Sequence, residues 1–217
     1  MKFCRVVFLF ALLCSGWSLA QTPTTVPDGG MTFRDPQYGY SLRLPAGSLY
    51  WDSDFLKSLE ASLKKGLQAG TQSGNLRCLI QLEPLGDPEE LPPRLSVVVE
   101  ALPGDSKLSP MEWVRSVGAA RVERDLGATV AWRAYGTTMV SGKEFSRMSY
   151  GWRPFGYQVL YCRSYTFFDE NRSSIITVSL GLGMLRDTDQ ELEKLEGLFH
   201  SLQFEDDSAS PSDPLTP

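Results

Sequence analysis

Four alternating stretches in a row constrain this chain more than any other feature. They are TVAWRAYGTTMV, KEFSRMSYGW, GYQVLYCRSYTFF and SSIITVSLGL, and together they span Thr129 to Leu182. Each is rich in β-branched and aromatic residues at a period of two, the pattern of a β-strand with one buried face. Short turns separate them. Ser141-Gly142 is a two-residue hairpin turn, because glycine tolerates positive φ. Arg153-Pro154-Phe155-Gly156 and Asp169-Glu170-Asn171-Arg172 read as four-residue turns. Consecutive strands joined this way pair antiparallel.

If those turn lengths fix the register, every side chain is assigned to a face. One face collects Tyr135, Met139, Met148, Tyr150, Trp152, Tyr157, Val159, Tyr161, Tyr165 and Phe167. Ile176, Val178, Leu180 and Leu182, at alternate positions of the last strand, fall on the same side. Arg133 and Arg163 intrude there, so the margin of this face must reach water or a carboxylate. The opposite face takes Val130, Trp132, Val140, Phe145, Leu160, Cys162 and Phe168, with Arg147 and Ser164 among them. Both faces are too apolar to stand in water, so both are expected to be covered. The expected class is α+β: an α/β/α sandwich, with a mostly antiparallel sheet of about six to seven strands and about three flanking helices.

The chain opens MKFCRVVFLFALLCSGWSLA. Lys2 and Arg5 precede an apolar run from Val6 to Leu13, and Ser18 and Ala20 place small residues ahead of Gln21. This is the pattern of a signal peptide over residues 1–20, cleaved before Gln21. Acylation of Cys14 is the rival reading, against which stands Leu13 where a small residue is wanted. No other stretch approaches the roughly 20 apolar residues of a membrane helix, so a secreted or periplasmic, soluble chain is expected. Losing Lys2 and Arg5 moves the net charge from −5 to −7, a change of two units. No basic patch is present to attract nucleic acid. Of four cysteines, Cys78 and Cys162 remain after cleavage. They permit one disulfide in an oxidising compartment, and two buried thiols are the alternative.

Residues 21–30 (QTPTTVPDGG) read as a disordered polar leader, and 31–204 as a single domain. Two short strands, Met31 to Asp35 and Tyr40 to Leu44, flank a turn. A helix is expected from Asp52 or Ser53 to about Ala69, with Phe55, Leu59, Leu63 and Leu67 spaced by four. Leu76, Cys78, Ile80 and Leu82 mark one face of the next strand, and a valine-rich strand follows from Leu95 to Leu102. Ser109-Pro110-Met111-Glu112 combines a capping box with proline at the first helical position. Its helix should bury Trp113, Val114, Val117 and Ala120. Thr188 and Glu191 open a last helix with a stripe of Leu192, Leu195, Leu198, Phe199 and Leu202. Residues 205–217 (EDDSASPSDPLTP) read as a disordered acidic tail.

Three segments carry a resemblance: FRDPQYGYSLRLPAGSLYW, LSVVVEALPGDSKLSPMEWV and the closing LFHSLQF. In this order they resemble the PsbP-like family. That family takes in an extrinsic subunit of photosystem II, a nuclear-import factor that binds the GTPase Ran, and many bacterial secreted proteins. The resemblance implies an antiparallel sheet between helices. Its motifs are structural, so it transfers no functional residue.

Catalytic equipment is sparse. His200 is the only histidine, and it lies at the apolar end of the last helix, where a surface role is expected. No metal site and no cofactor is expected, because several His or Cys ligands would be needed. The acidic runs Asp87-Glu89-Glu90 and Glu205-Asp206-Asp207 lack the spacing of a calcium loop. The one aromatic cluster is Tyr150, Trp152, Phe155 and Tyr157, with Arg153 beside them, around the turn GWRPFGY. Aromatics at a loop tip anchor partners. The alternative is that they continue the core. The expectation is a secreted, non-catalytic binding or assembly module with a protein or cell-envelope partner. A carboxylate-dependent hydrolase is the alternative, and a photosystem accessory subunit is a third if the source is phototrophic.

Overall fold

A computed structural model describes residues 23–51, 75–82, 92–104, 107–120, 130–152, 160–183 and 188–205. Its strands are β1 (Thr24–Thr25), β2 (Met31–Asp35), β3 (Tyr40–Leu44), β4 (Leu49–Trp51), β5 (Asn75–Gln81), β6 (Arg94–Ala101), β7 (Val130–Val140), β8 (Lys143–Trp152), β9 (Leu160–Asp169), β10 (Ser174–Gly183) and β11 (Gln203–Phe204). Two sheets result. The larger has eight strands in the order β1-β4-β5-β6-β10-β9-β8-β7, and the smaller has the order β11-β3-β2. Every pairing is antiparallel. The hairpin β2–β3 thus leaves the main sheet and forms its own with β11, which corrects the expectation of one sheet of six to seven strands.

Helix α1 begins at Pro110–Trp113 and continues through a π turn, Val114–Gly118, while α2 is Thr188–His200. These are the two helices among the described residues. The third expected, from residue 52 to 69, lies outside them. The capping box of α1 is formed: Glu112 N–H donates to Ser109 Oγ at 3.3 Å, and Ser109 N–H donates to Glu112 Oε2 at 2.8 Å. The Ser109 hydroxyl, which donates to Glu112 Oε2 at 2.7 Å, and then the Ser109 N–H hold the Glu112 carboxyl below its ordinary range. The π turn changes which residues face inward. Spacing of five carries the buried face from Val114 to Ala119, so Ala119 is buried and Ala120 exposed, the reverse of the α-helical expectation.

The hairpin β7–β8 closes as read, with Val140 opposite Lys143 and both Ser141 and Gly142 at positive φ. The β9–β10 connection joins Asp169 to its partner Ser174 through residues 170–173, a four-residue turn as read but displaced by one position, so the face assignment of both strands survives. The β8–β9 connection differs. Trp152 pairs with Leu160, so residues 153–159 intervene instead of a four-residue turn. An odd change in loop length turns a strand over. Met148 and Tyr150 therefore join Cys162, Ile175 and Phe168 under α1, with Trp113 edge-on to Phe168 at 6.3 Å. Val140 and Phe145 cross to the other face, with Tyr165, Ile176, Val178, Leu180 and Leu182.

That second face holds the larger core. Leu195, Leu198, Phe199 and Leu202 of the α2 segment meet it, together with Phe33, Tyr40, Leu42 and Leu44 of the small sheet. Phe199 stacks on Tyr165 at 3.9 Å and stands edge-on to Phe145 at 5.3 Å. Residues 23–30 are not a loose leader. β1 pairs with β4, Val26 N–H donates to Ser48 O at 2.8 Å, and Val26 is buried in the core, because an apolar side chain there closes the end of the sheet.

Of the two readings of the cysteine pair, the structure has the buried thiols and not the disulfide. Cys78 and Cys162 are both free and buried. They lie on β5 and β9, three strand spacings apart, and face opposite sides of the sheet. Three spacings amount to roughly 14 Å, and a bridge needs Cα atoms within roughly 7 Å.

Candidate functional site

The polar groups on the α2 side of the sheet gather on β8 and β9. Ser149 sits opposite Arg163, and Arg147 opposite Tyr165 and, on its other side, Gly136. Directly paired residues share a face, so all five project toward α2 or the open ground beside it. Arg163 is fully engaged. Its guanidinium donates to Glu196 of α2 and to the Tyr161 hydroxyl, and its Nε donates to Ser149 Oγ at 3.1 Å. Glu196 also accepts from the Tyr165 hydroxyl at 2.9 Å. Burial, and then the bond to Glu196, push the Tyr165 hydroxyl pKa up. An arginine on this face reaching a carboxylate is what the sequence required.

Arg147 is different. Its Nε is buried without a hydrogen-bond partner, and it forms no ion pair with the described residues. Its guanidinium lies across Gly136: a Cβ on that glycine would stand 2.9 Å from Nη2. Only a residue without a side chain leaves room for the head group over β7. Sequence reasoning put Arg147 on the other face, through the β8–β9 turn. The signal that could have found it was the hairpin register, which places Arg opposite Gly.

The other buried polar cluster joins the sheets. Arg77 Nε donates to Asp35 Oδ2 at 2.7 Å and its Nη2 to Oδ1 at 3.2 Å, a bidentate pair with Arg77 8% and Asp35 3% exposed. A β-bulge between Leu76 and Cys78 makes this contact possible. It turns Arg77 to the core side next to Cys78 and displaces Leu76, which the sequence pattern had placed there. Arg77 also lies over the Tyr38 ring at 5.0 Å. The buried Tyr40 hydroxyl makes no hydrogen bond, and burial pushes its pKa up. The cluster is sealed, and its ionic pair is a joint between layers.

Of the aromatic group expected to anchor a partner, Tyr150 is 8% exposed and packed beneath α1. Its hydroxyl meets Cys162 and Ser164, so it is a core residue and not part of a surface site. Trp152 ends β8, paired with Leu160 and Val130. Arg153, Phe155 and Tyr157 lie outside the described residues. His200 is exposed at the end of α2. Among the described residues no three His, Cys, Asp or Glu side chains gather to hold a metal. No described helix is long and apolar enough to cross a membrane.

Among the described residues, one helix covers one face of a long antiparallel sheet and a helix and a small sheet cover the other, an arrangement that matches the PsbP-like fold. Among solved structures, the chain is similar to cyanobacterial PsbP (CyanoP) from Synechocystis, with a TM-score of 0.51 and 13% identity over 88% of this chain and 99% of that one. It is also similar to LpqN, involved in cell envelope biogenesis of Mycobacterium tuberculosis, with a TM-score of 0.44 and 11% identity over 84% and 88%. A further similar structure is the Ran-binding protein Mog1p of Saccharomyces cerevisiae, with a TM-score of 0.46 and 9% identity over 81% and 95%. These likenesses are of fold. No protein-family model and no curated protein matches the sequence.

Proposed function

We propose that the protein is a secreted or periplasmic, non-catalytic binding or assembly module that holds a protein partner at the cell envelope. One observation supports this most: among the described residues, side chains fill both faces of the sheet over its central strands, and the ionisable groups inside are held in unreactive states. Cys162 is pushed up to about 12 by burial, against a smaller pull from the Tyr150 hydrogen bond, and burial pushes Cys78 higher still. A thiol so placed is neither nucleophile nor ligand. Asp35 is occupied by Arg77, and Glu196 by Arg163 and Tyr165. A platform with closed faces acts through its edges and loops. The turn residues Trp152, Arg153, Phe155 and Tyr157 belong to this proposal as candidate contacts.

The test is cross-linking and co-purification of the mature chain from its own cell envelope, alongside assays on ester and glycan substrates. The expected result is a stoichiometric protein partner and no turnover. Turnover lost on replacing a single carboxylate would overturn the reading in favour of a hydrolase.

A further inference from the structure

Strand β7 ends the main sheet, and among the described residues nothing pairs with its outer edge. The other end of the sheet is closed by β1, which is 2 residues long, whereas β7 has 11. Soluble proteins blunt a sheet edge by keeping it short or by placing Lys, Pro or a bulge on it. The sequence of β7, VAWRAYGTTMV, has no Lys, Pro, Asp or Glu, and its one charged residue, Arg133, lies near the start of the strand. Its one irregularity lies at the start, between Val130 and Trp132, so the register from Trp132 to Val140 is unbroken. Such an edge presents a row of N–H and C=O groups to which an extended segment can add.

Arg147 indicates the chemistry of that segment. It is rooted on β8, yet its guanidinium lies over Gly136 of β7, one strand closer to the open edge. Neighbouring strands are about 4.8 Å apart, so a residue added opposite Gly136 has its side chain within reach of the guanidinium. Glu196, a carboxylate on this side of the sheet, is already bound to Arg163 and Tyr165. On the other face of the same edge, Met139 is 59% exposed, one of two large hydrophobic residues so exposed among those described. The chain is itself acidic, at −5, which disfavours a highly acidic partner and leaves a single carboxylate as the complement of a single free guanidinium.

We propose that β7 takes up an extended segment of a partner protein as one more strand of the eight-stranded sheet. An Asp or Glu opposite Gly136 is seated on Arg147, and an apolar residue three positions along, on the reverse face, covers Met139. This rests on the reading of the protein as a binding module and names the surface and the chemistry it would use.

The probes are labelled synthetic peptides as long as β7, alternating Thr and Val, with a central Asp and a Leu three positions to either side. The control has Asn at the centre. Anisotropy titration should show the Asp peptide binding at least about tenfold tighter, as expected for a hydrogen-bonded charge pair. Arg147→Met and Gly136→Val, the latter placing a side chain where the guanidinium lies, should each reduce the Asp peptide to the level of the Asn peptide. Both variants should keep the wild-type melting temperature, since neither breaks a pair. N-methylation at alternate peptide nitrogens should abolish binding in one phase and spare it in the other, because a strand donates from every second residue.

Equal binding of Asp and Asn peptides, no binding of either, or indifference to both methylation phases would overturn the proposal. So would a dimer in solution that shuts peptides out, which would place a second copy on the edge. If any of these occurs while the mature chain still co-purifies with its envelope partner, the edge is wrong and the binding module stands. If the chain instead turns over a substrate, the underlying reading is what fails.

Discussion

A thiol enclosed on a sheet face is held to one charge state, and here two thiols are so enclosed. In the unfolded chain each ionises near the ordinary value of 9.0, while Cys162 in the fold waits until about 12 and Cys78 until later still. Above pH 9 the unfolded state releases protons that the fold retains. Stability is therefore complete below pH 9 and declines as pH rises from there toward 12, by up to about 1.4 kcal/mol per pH unit for each thiol. Urea midpoints measured from about pH 8 to about pH 11 should fall less steeply for Cys162→Ala than for the wild type. Equal slopes would mean that this thiol titrates freely. Buried tyrosines, Tyr40, Tyr150 and Tyr165, add to the decline above pH 10, so the difference between the two proteins is the measure. That the two cysteines exist as a pair was plain in the sequence. That they face away from each other was not, because the side of the sheet occupied by Cys162 depends on strand pairing.

At the scale of elements, the small sheet is held to the large one by hydrophobic contact and by the ion pair of Asp35 and Arg77, buried together. Removing one member of such a pair leaves a charge without water or partner. Asp35→Asn should cost about 3 kcal/mol or more in chemical denaturation, and Asp35→Leu with Arg77→Met should cost less than either single change. Additive losses would show that the two groups do not act as a pair. The joint was illegible beforehand because it spans a sequence separation of 42 and depends on a bulge, which no residue type announces. The hairpin at Ser141-Gly142 was legible because glycine chemistry and strand alternation agree there. The segment GWRPFGY misled for a related reason. Its Pro and Gly invite a tight turn, but the ladder stops at Trp152 and resumes at Leu160. That shift exchanged the two faces of β7 and β8, and with them the place of Arg147.

For the whole molecule, the architecture was legible as a mostly antiparallel sheet covered by helices, and its division into two sheets was not. A five-residue strand such as Tyr40–Leu44 carries the same alternation whichever sheet it joins. The N-terminal stretch was misread because QTPTTVPDGG is polar except for one valine, and that valine is 1% exposed. A chain beginning at Thr22 keeps β1 and Val26. One beginning at Met31 lacks β1 and Val26 and should lose about 2 kcal/mol or more, read from urea midpoints. Matching midpoints would show that the early strand contributes nothing.

The small sheet joins residues far apart in sequence: Tyr40 and Ser41 to Phe204 and Gln203, and the Arg43 amide to Ser201 Oγ at a separation of 158. Long closures are slow, because chain entropy is given up before any contact rewards it. A polypeptide still growing on the ribosome has no Gln203 with which to complete that sheet. The first hairpin must stay unsealed until Gln203 and Phe204 have been made, so everything synthesised before them remains threadable.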